Sequence, residues 1–270
     1  MNEFQQELNC YHPSGTAPFT GLIATTLAGI AAGAVIAAVY AFAVHHDPLI
    51  YLNVLMAYGF GHSLAWVVSS GVRHFHIRSV PAALSMGVVI FAVSYAVHWF
   101  VYISTVLVDW ETDSPFDIVT IAMLTADFVR DPERAWGVIR ALNERGVWSI
   151  SGSSSQLEMS GIMLAAVWVA EAVTICWLTV GKPMQEARKP YSERLGRWMT
   201  PRAMPAGIAF IDDVRGFKTA AAHNDYAALT TPLPAEAEGE AGNLKYATVV
   251  LYDDPVDPYV SVDNVSIKVK

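Results

Sequence analysis

Three ionisable side chains lie within long apolar runs of the sequence, and their types could support proton chemistry. They are His62, His98 and Glu171. Ionisable groups inside a membrane are costly, so they commonly line proton or ion paths or pair with one another. A histidine beside a carboxylate can hold or transfer a proton near neutral pH. These residues are therefore candidates for an ion or proton pathway, and a buried pair that fixes helix register is the structural alternative.

The depth of each candidate follows from the rise of an α-helix, which is about 1.5 Å per residue. Measured from the outer end of its span, His62 lies about 20 Å deep, Glu171 about 18 Å and His98 about 15 Å. His62 and Glu171 are thus expected to meet at one level. A haem b between His62 and His98, with Gly59 and Gly61 beside the ring, is a further hypothesis. No other cofactor and no metal site is predicted.

The runs that carry these residues predict an all-α integral membrane protein. The sequence is 53% hydrophobic and 16% charged, whereas soluble domains carry about 25% charged residues. A transmembrane helix needs about 20 mostly apolar residues. Four runs meet this length, at residues 19–44, 49–72, 80–108 and 159–180. The short links between the first three spans predict an antiparallel four-transmembrane-helix bundle.

Lysine and arginine near the ends of the spans predict the orientation. The link between spans one and two has neither residue, whereas Arg73 and Arg78 follow span two and a basic segment follows span four. This bias places both termini in the cytoplasm, for a protein of the inner membrane. The predicted parts are an N-terminal cytoplasmic segment (1–18), a transmembrane domain (19–180) with an outer insert (109–158), a basic juxtamembrane segment and linker (181–243), and a β-strand tail (244–270).

The outer insert is predicted to contain two helices. Asp113-Ser114-Pro115 is typical of a helix start, and apolar residues then recur at helical spacing as far as Phe128. Asp131 is a suitable N-cap for a second helix with Pro132 at its first position. That helix is expected to run to about Arg145, before Gly146. Residues 149–155 are expected to form a loop.

Small and basic residues indicate how the helices contact one another and the lipid. Gly29, Gly33 and Ala37 have the spacing that lets helix backbones approach closely in a membrane. They favour either tight packing inside the bundle or an oligomer face. Basic side chains near the inner ends of the spans are candidates for contact with lipid head groups. These are Arg73, His74, His76, Arg78, Lys182, Arg188 and Lys189.

The C-terminal residues predict a small β-meander. Strand formers occupy residues 246–252, 259–262 and 265–269, and Asp263-Asn264 is predicted to form a two-residue hairpin turn. A few strands alone bury little apolar area. The tail is therefore expected to pair with residues 205–218 or with another subunit.

Residues 190–198 read PYSERLGRW and resemble a zinc-ribbon knuckle of the pattern P-Y-C-E-x-C-G-x-W. Ser192 and Leu195 occupy the two cysteine positions, and neither binds zinc as a thiolate does. The resemblance implies a ribbon fold without its metal, in keeping with the β-tail that follows.

Motifs and charge narrow the function. The sequence has no Walker loop, no H-E-x-x-H, no G-x-S-x-G and no GxGxxG after a strand, so an enzyme is not predicted. The net charge of -8 argues against nucleic acid as a partner. The sequence favours a non-catalytic scaffold or assembly subunit in the lipid bilayer, joined to itself or to other membrane subunits. The alternatives are a channel, transporter or proton-linked device using His62 and Glu171, and a haem b electron-transfer subunit.

Overall fold

A computed structural model describes residues 11–46, 50–111, 117–146, 148–150, 157–203, 208–222, 225, 227–230, 243–252 and 259–268. The chain forms two compact units. One unit is Ser14–Arg188, and the other combines Met1–Pro13 with Lys189–Lys270.

Long helices dominate the first unit. They are α1 (Phe19–His46), α2 (Ile50–His74), α3 (Val80–Glu111) and α6 (Gly161–Ala187). In the described part of the chain, three helices are long and apolar enough to cross a membrane, namely α1, α3 and α6. This agrees with a predominantly helical membrane protein. Helix α2 carries more polar side chains, and its assignment as a fourth span stays a prediction.

The long helices pack in an order that differs from their order in the chain. Helix α1 packs mainly against α3, and α2 packs mainly against α6, whereas α2 and α3 make only a small contact despite the short link between them. Glycines permit the close pairs. A Cβ on Gly29 would collide with Ile90 of α3, and a Cβ on Gly61 would lie 3.0 Å from Cα of Ile175 of α6.

Two shorter helices follow α3. Helix α4 (Ile118–Arg130) is capped by Asp117, whose carboxylate accepts the backbone N–H of Thr120 at 3.1 Å. The Thr120 hydroxyl and the same N–H hold the pKa of Asp117 below its usual range. The predicted start at residues 113–115 lies outside the described residues.

The second short helix, α5 (Pro132–Arg145), has the predicted limits. Asp131 accepts the backbone N–H of Arg134 at 3.1 Å, and Gly146 follows with a left-handed φ of 82°. Its capped start and glycine end are thereby confirmed. The Asn143 amide then donates to the carbonyl of Gly161 at 2.9 Å, which joins α5 to the start of α6.

A short hairpin lies between α5 and α6. Strands β1 (Trp148–Ile150) and β2 (Leu157–Met159) pair in antiparallel register. The prediction of a loop over residues 149–155 is therefore wrong at 149–150, and residues 151–156 lie outside the described residues. The small polar residues of this stretch have low intrinsic strand propensity, and β1 is formed through its pairing with β2.

The second unit is built on a small antiparallel sheet. Its elements are β3 (Tyr191–Ser192), β4 (Arg197–Trp198), β5 (Pro201–Ala203), β6 (Ile208–Ala209), α7 (Val214–Ala222), a 3₁₀ turn (Ala227–Thr230), β7 (Asn243–Tyr252) and β8 (Tyr259–Lys268). Strand β7 pairs with β5, β6 and β8. The predicted pairing of the tail with residues 205–218 is confirmed at Ile208–Ala209, where β6 lies against β7.

The hairpin predicted at Asp263-Asn264 is wrong. Strand β8 is continuous there, with Asp263 opposite Thr248 and Asn264 opposite Ala247. Two-residue hairpin turns favour a glycine, which this dipeptide lacks. A continuous β8 instead pairs along the full length of β7 and helps to cover the buried Val249.

The segment that resembles a zinc-ribbon knuckle forms a tight hairpin of β3 and β4. The Ser192 hydroxyl accepts the N–H of Leu195 at 3.1 Å, and Gly196 has a left-handed φ of 63°. The rings of Tyr191 and Trp198 meet edge to face at 5.2 Å. Among the described residues, no group of three or more His, Cys, Asp or Glu side chains is arranged to hold a metal ion.

Candidate functional site

A buried polar cluster joins all four long helices, and we call it the polar centre. It consists of Tyr40 of α1, Asn53 of α2, His98 of α3 and Glu171 of α6. The Tyr40 hydroxyl donates to Oε1 of Glu171 at 2.9 Å, and Nε2 of His98 lies 3.8 Å from the same oxygen. The Tyr40 hydroxyl also lies 3.4 Å from Oδ1 of Asn53. The polar centre thus gathers side chains of four separate helices around one carboxyl group.

Aromatic rings enclose the polar centre. The His98 residue is 3% exposed, and five ring centroids lie between 4.6 and 6.3 Å from its imidazole. They belong to Tyr40, Phe60, Tyr95, Trp99 and Tyr102. The Tyr95 hydroxyl also donates to the carbonyl of Trp168 on α6 at 3.3 Å. The surroundings are therefore apolar and firmly packed, and an unpaired charge within them would be strongly disfavoured.

The arrangement is suited to holding a single proton. The distance of 3.8 Å between Nε2 of His98 and Oε1 of Glu171 exceeds that of a direct hydrogen bond, but it brings an imidazole and a carboxyl group side by side. Nδ1 of His98 is buried and has no hydrogen-bond partner within the described residues. A proton can reside on Glu171 or on His98, and Tyr40 remains a donor to the carboxyl in either state.

The expected meeting of His62 with Glu171 is wrong, because His98 takes that position. His62 is exposed, and its Nε2 lies 3.4 Å from Nζ of Lys182. Depth sets only the level of a residue, whereas the face of the helix decides its neighbours. The buried face of α2 runs through Asn53, Ala57, Phe60, Leu64 and Val68 at spacings of three and four. His62 falls off that face.

Two members of the polar centre were not singled out from the sequence. Tyr40 and Asn53 are uncharged at neutral pH, so the rarity of charged residues in apolar runs does not distinguish them. Asn53 does carry a signal, since an amide side chain within an apolar run needs a hydrogen-bond partner when it is buried. A haem between His62 and His98 would need both rings to face one space, and the structure places one on the surface and the other inside the bundle.

Helix α2 carries a second polar face, which is exposed, and we call it the lateral stripe. Ser63 and Ser70 donate from their hydroxyls to the carbonyls of Gly59 and Trp66. The Tyr58 ring stacks on His62 with centroids 5.2 Å apart. The stripe consists of Tyr58, Gly59, His62, Ser63, Trp66 and Ser70, together with Lys182 of α6 beside it. These residues give α2 its more polar composition.

The small residues of α1 contact α3 rather than solvent or lipid. A Cβ on Gly33 would collide with Ser94 and lie 3.3 Å from Leu64, and Ala37 is fully buried. Gly29 faces Ile90 in the same way. Of the two expectations for this motif, the contacts favour tight packing within the chain.

The head-group candidates fall into different surroundings. Nε of Arg73 lies 3.7 Å from Oε2 of Glu186, and the buried Arg78 donates its backbone N–H to the carbonyl of Thr16 at 2.8 Å. Arg73 and Arg78 therefore have partners within the chain.

The other head-group candidates differ in exposure. His76 is half-buried and has a left-handed φ of 52°. His74, Arg188 and Lys189 are exposed, whereas Lys182 is half-buried beside His62.

Comparisons with family models, with curated proteins and with solved structures each give no match for the chain.

Proposed function

We propose that the chain is a non-catalytic membrane protein with four spans that acts as an assembly subunit of a homo-oligomer or of a larger membrane complex. The packing of α2 supports its role as the fourth span. Near one end of α2, Asn53 lies at the polar centre, and near the other end Gly71 packs against Thr25 of α1. Helix α2 therefore runs beside an apolar span over most of its length.

The lateral stripe is the observation that carries the proposal. His62 lies midway along α2, so the stripe would lie at the middle of the membrane on a surface that the rest of the described unit leaves exposed. A lysine at the centre of a membrane helix costs about 2.5–3.5 kcal/mol on insertion scales. Covering His62 and Lys182 with another protein would remove them from lipid. Gly59 and Ser63 supply the small residues that let a second helix approach.

Oligomeric mass in mild detergent and in native nanodiscs tests the proposal. We expect a species larger than the monomer in both, because the stripe is covered by protein. The bulkier side chain of Ser63→Leu should weaken that assembly. The control Val35→Leu, on the exposed face of α1, should leave it unchanged. A particle that contains a single copy of the chain and no other protein, in detergent and in native nanodiscs, contradicts the assembly role.

The polar centre favours a second candidate function, a proton-linked device. Its support is the approach of His98 to Glu171 beneath a cover of aromatic rings. Proteoliposomes with an imposed pH gradient would measure proton flux. The expected result is a flux that falls in Glu171→Gln, since the amide cannot carry the proton. Flux that is absent, or equal in this variant, eliminates the device.

A further inference from the structure

We propose that the protein helix that covers the lateral stripe belongs to a different membrane protein and carries an aspartate or glutamate at the middle of the membrane. This inference rests on the assembly role proposed above and names the chemistry of the partner. It follows from the position of one lysine and from the positions of the acidic residues of the chain.

The Lys182 side chain extends towards the middle of the membrane. Its ammonium lies 3.4 Å from Nε2 of His62, although residue 182 is close to the Ala187 end of α6. A lysine near the end of a span would ordinarily extend towards the nearer interface, where water solvates its charge. Here the side chain instead brings a positive charge to the stripe, at the level of His62.

None of the carboxylates of the described helices pairs with that ammonium, including Glu186 one turn further along α6. The four long helices contain four acidic residues, which are Asp109, Glu111, Glu171 and Glu186. Glu171 is held in the polar centre by Tyr40 and His98, and Glu186 lies beside Arg73 at the far end of α2. Asp109 and Glu111 lie at the opposite end of the bundle, and Asp109 pairs with His45 at 3.6 Å.

A second copy of the chain would not supply the missing acid. Copies inserted in the same orientation present the same residues at the same depth, and no exposed carboxylate of the described helices lies at the depth of His62. A homodimer through the stripe would instead bring two Lys182 charges together. The complementary group is therefore a carboxylate on a different helix, which can pair with Lys182 and accept a hydrogen bond from the His62 ring.

Model helices in vesicles test the inference with a defined probe. The full-length protein, labelled with a fluorescent donor, is reconstituted in zwitterionic vesicles with acceptor-labelled polyleucine transmembrane peptides. One peptide carries a central aspartate, one a central asparagine, and one leucine alone. We expect the aspartate peptide to associate about tenfold more strongly than the leucine peptide, the size of an interhelical polar contact measured in model peptides.

Substitutions then locate the contact. Lys182→Met should abolish the preference for aspartate, Lys182→Arg should keep it, and Arg188→Met at the exposed end of the same helix should not change it. Unaltered circular dichroism of Lys182→Met would show that the fold is intact. Equal association of all three peptides, or an aspartate preference that survives Lys182→Met, overturns the inference.

Energy transfer between donor-labelled copies of the protein in the same vesicles measures self-association. This measurement separates the inference from the assembly role. Oligomers of the protein without any aspartate preference would leave the assembly role standing and reject the acidic partner. A monomer that binds none of the peptides would reject both.

Discussion

At the scale of single residues, Glu171 shows how a carboxyl group is accommodated inside an apolar bundle. The Tyr40 hydroxyl donates to it, Oδ1 of Asn53 lies 3.4 Å from that hydroxyl, and Nε2 of His98 lies 3.8 Å from the same carboxyl oxygen. A buried polar group is tolerated when its hydrogen bonds are made, and leaving a partner unsatisfied is the expensive event. The consequences of a substitution therefore depend on what the new side chain offers to Tyr40.

The first prediction contrasts two replacements of Glu171. Leucine removes the acceptor, so Glu171→Leu should lower the free energy of unfolding by about 1–3 kcal/mol, the cost of an unsatisfied buried donor. Glutamine keeps a carbonyl acceptor for Tyr40, so Glu171→Gln should be closer to wild type. Thermal unfolding in detergent compares the variants. Equal melting temperatures for the leucine and glutamine variants would show that these hydrogen bonds do not stabilise the bundle.

Two of the four residues of the polar centre can be identified from the sequence. Glu171 and His98 could be identified because an ionisable residue in an apolar run is rare. Their pairing could not be derived from depth alone, because His62 has a suitable depth but lies off the buried face of α2. Tyr40 gave no signal, since a tyrosine in a membrane helix resembles the other aromatic residues of the run.

At the scale of elements, the glycines of α1 decide how closely two helices can pack. Gly29 and Gly33 lie opposite Ile90 and Ser94 of α3, with no room for a methyl group between the helices. A Cβ on Gly181 of α6 would meet no atom of the described residues within 4 Å outside its own turn of the helix. The same substitution should therefore have different effects at the two places.

The second prediction concerns these glycines. Gly33→Ala should destabilise the protein by about 1–3 kcal/mol, the usual penalty of an overpacked core, because the added methyl group displaces Ser94. Gly181→Ala, at a helix position with open space, serves as the control and should keep wild-type stability or raise it by up to about 1 kcal/mol, the helix preference of alanine over glycine. Chemical unfolding in detergent followed by circular dichroism measures both. A stable Gly33→Ala protein would mean that α1 and α3 leave room for a methyl group at this position.

A third prediction concerns the cap of α4. The lowered pKa of Asp117, caused by Thr120, means that its ionised form is favoured in the folded helix. The stabilisation is present above the usual aspartate pKa of about 3.9 and is lost as the pH falls through the lower folded value. Asp117→Ala should therefore speed amide hydrogen exchange at Thr120 at neutral pH, whereas Asp117→Asn, still a good cap, should not.

The control for the cap is Asp127→Ala, near the other end of α4, where the carboxylate pairs with the exposed Arg130. It should leave exchange at Thr120 unchanged. Equal exchange in the Asp117→Ala variant and wild type would exclude a capping role.

Elements that depend on interactions within one helical turn can be predicted from the sequence, whereas elements that depend on a distant partner strand cannot. The limits of α5 depend on Asp131, Pro132 and Gly146, which act within one turn of the helix ends. The continuity of β8 depends instead on its register with β7, in which Asp263 pairs with Thr248, fifteen residues earlier in the sequence. A local turn signal such as Asp263-Asn264 carries no information about that partner strand.

At the scale of the whole molecule, α2 serves two surfaces at once. One face contributes Asn53 and Phe60 to the bundle, and the other carries His62 and Ser63 outwards. This division accounts for the lower apolar content of α2 compared with α1, α3 and α6.

The lengths of the links do not predict which helix α2 packs against. A short link fixes only the direction of the next helix. The main packing partner of α2 is α6, and small residues such as Gly61 permit that close contact.

Whether α2 crosses the membrane decides the sidedness of the chain, and this yields the fourth prediction. With four spans, Ser14 before α1 and Arg188 after α6 lie on one side, and Arg140 of α5 lies on the other. With only α1, α3 and α6 spanning, Ser14 and Arg188 would lie on opposite sides. Single cysteines at these three exposed positions, in a background of Cys10→Ala and Cys176→Ala, separate the two arrangements.

The measurement is labelling with a membrane-impermeant maleimide in intact cells and in inverted vesicles. We expect Arg140→Cys to react in intact cells, since the basic residues around Arg73 and after α6 are retained on the cytoplasmic side. Ser14→Cys and Arg188→Cys should react only in inverted vesicles. Labelling of Ser14→Cys and Arg188→Cys from opposite sides would remove α2 from the membrane. The lateral stripe would then face water, and His62 and Lys182 would no longer need a protein partner.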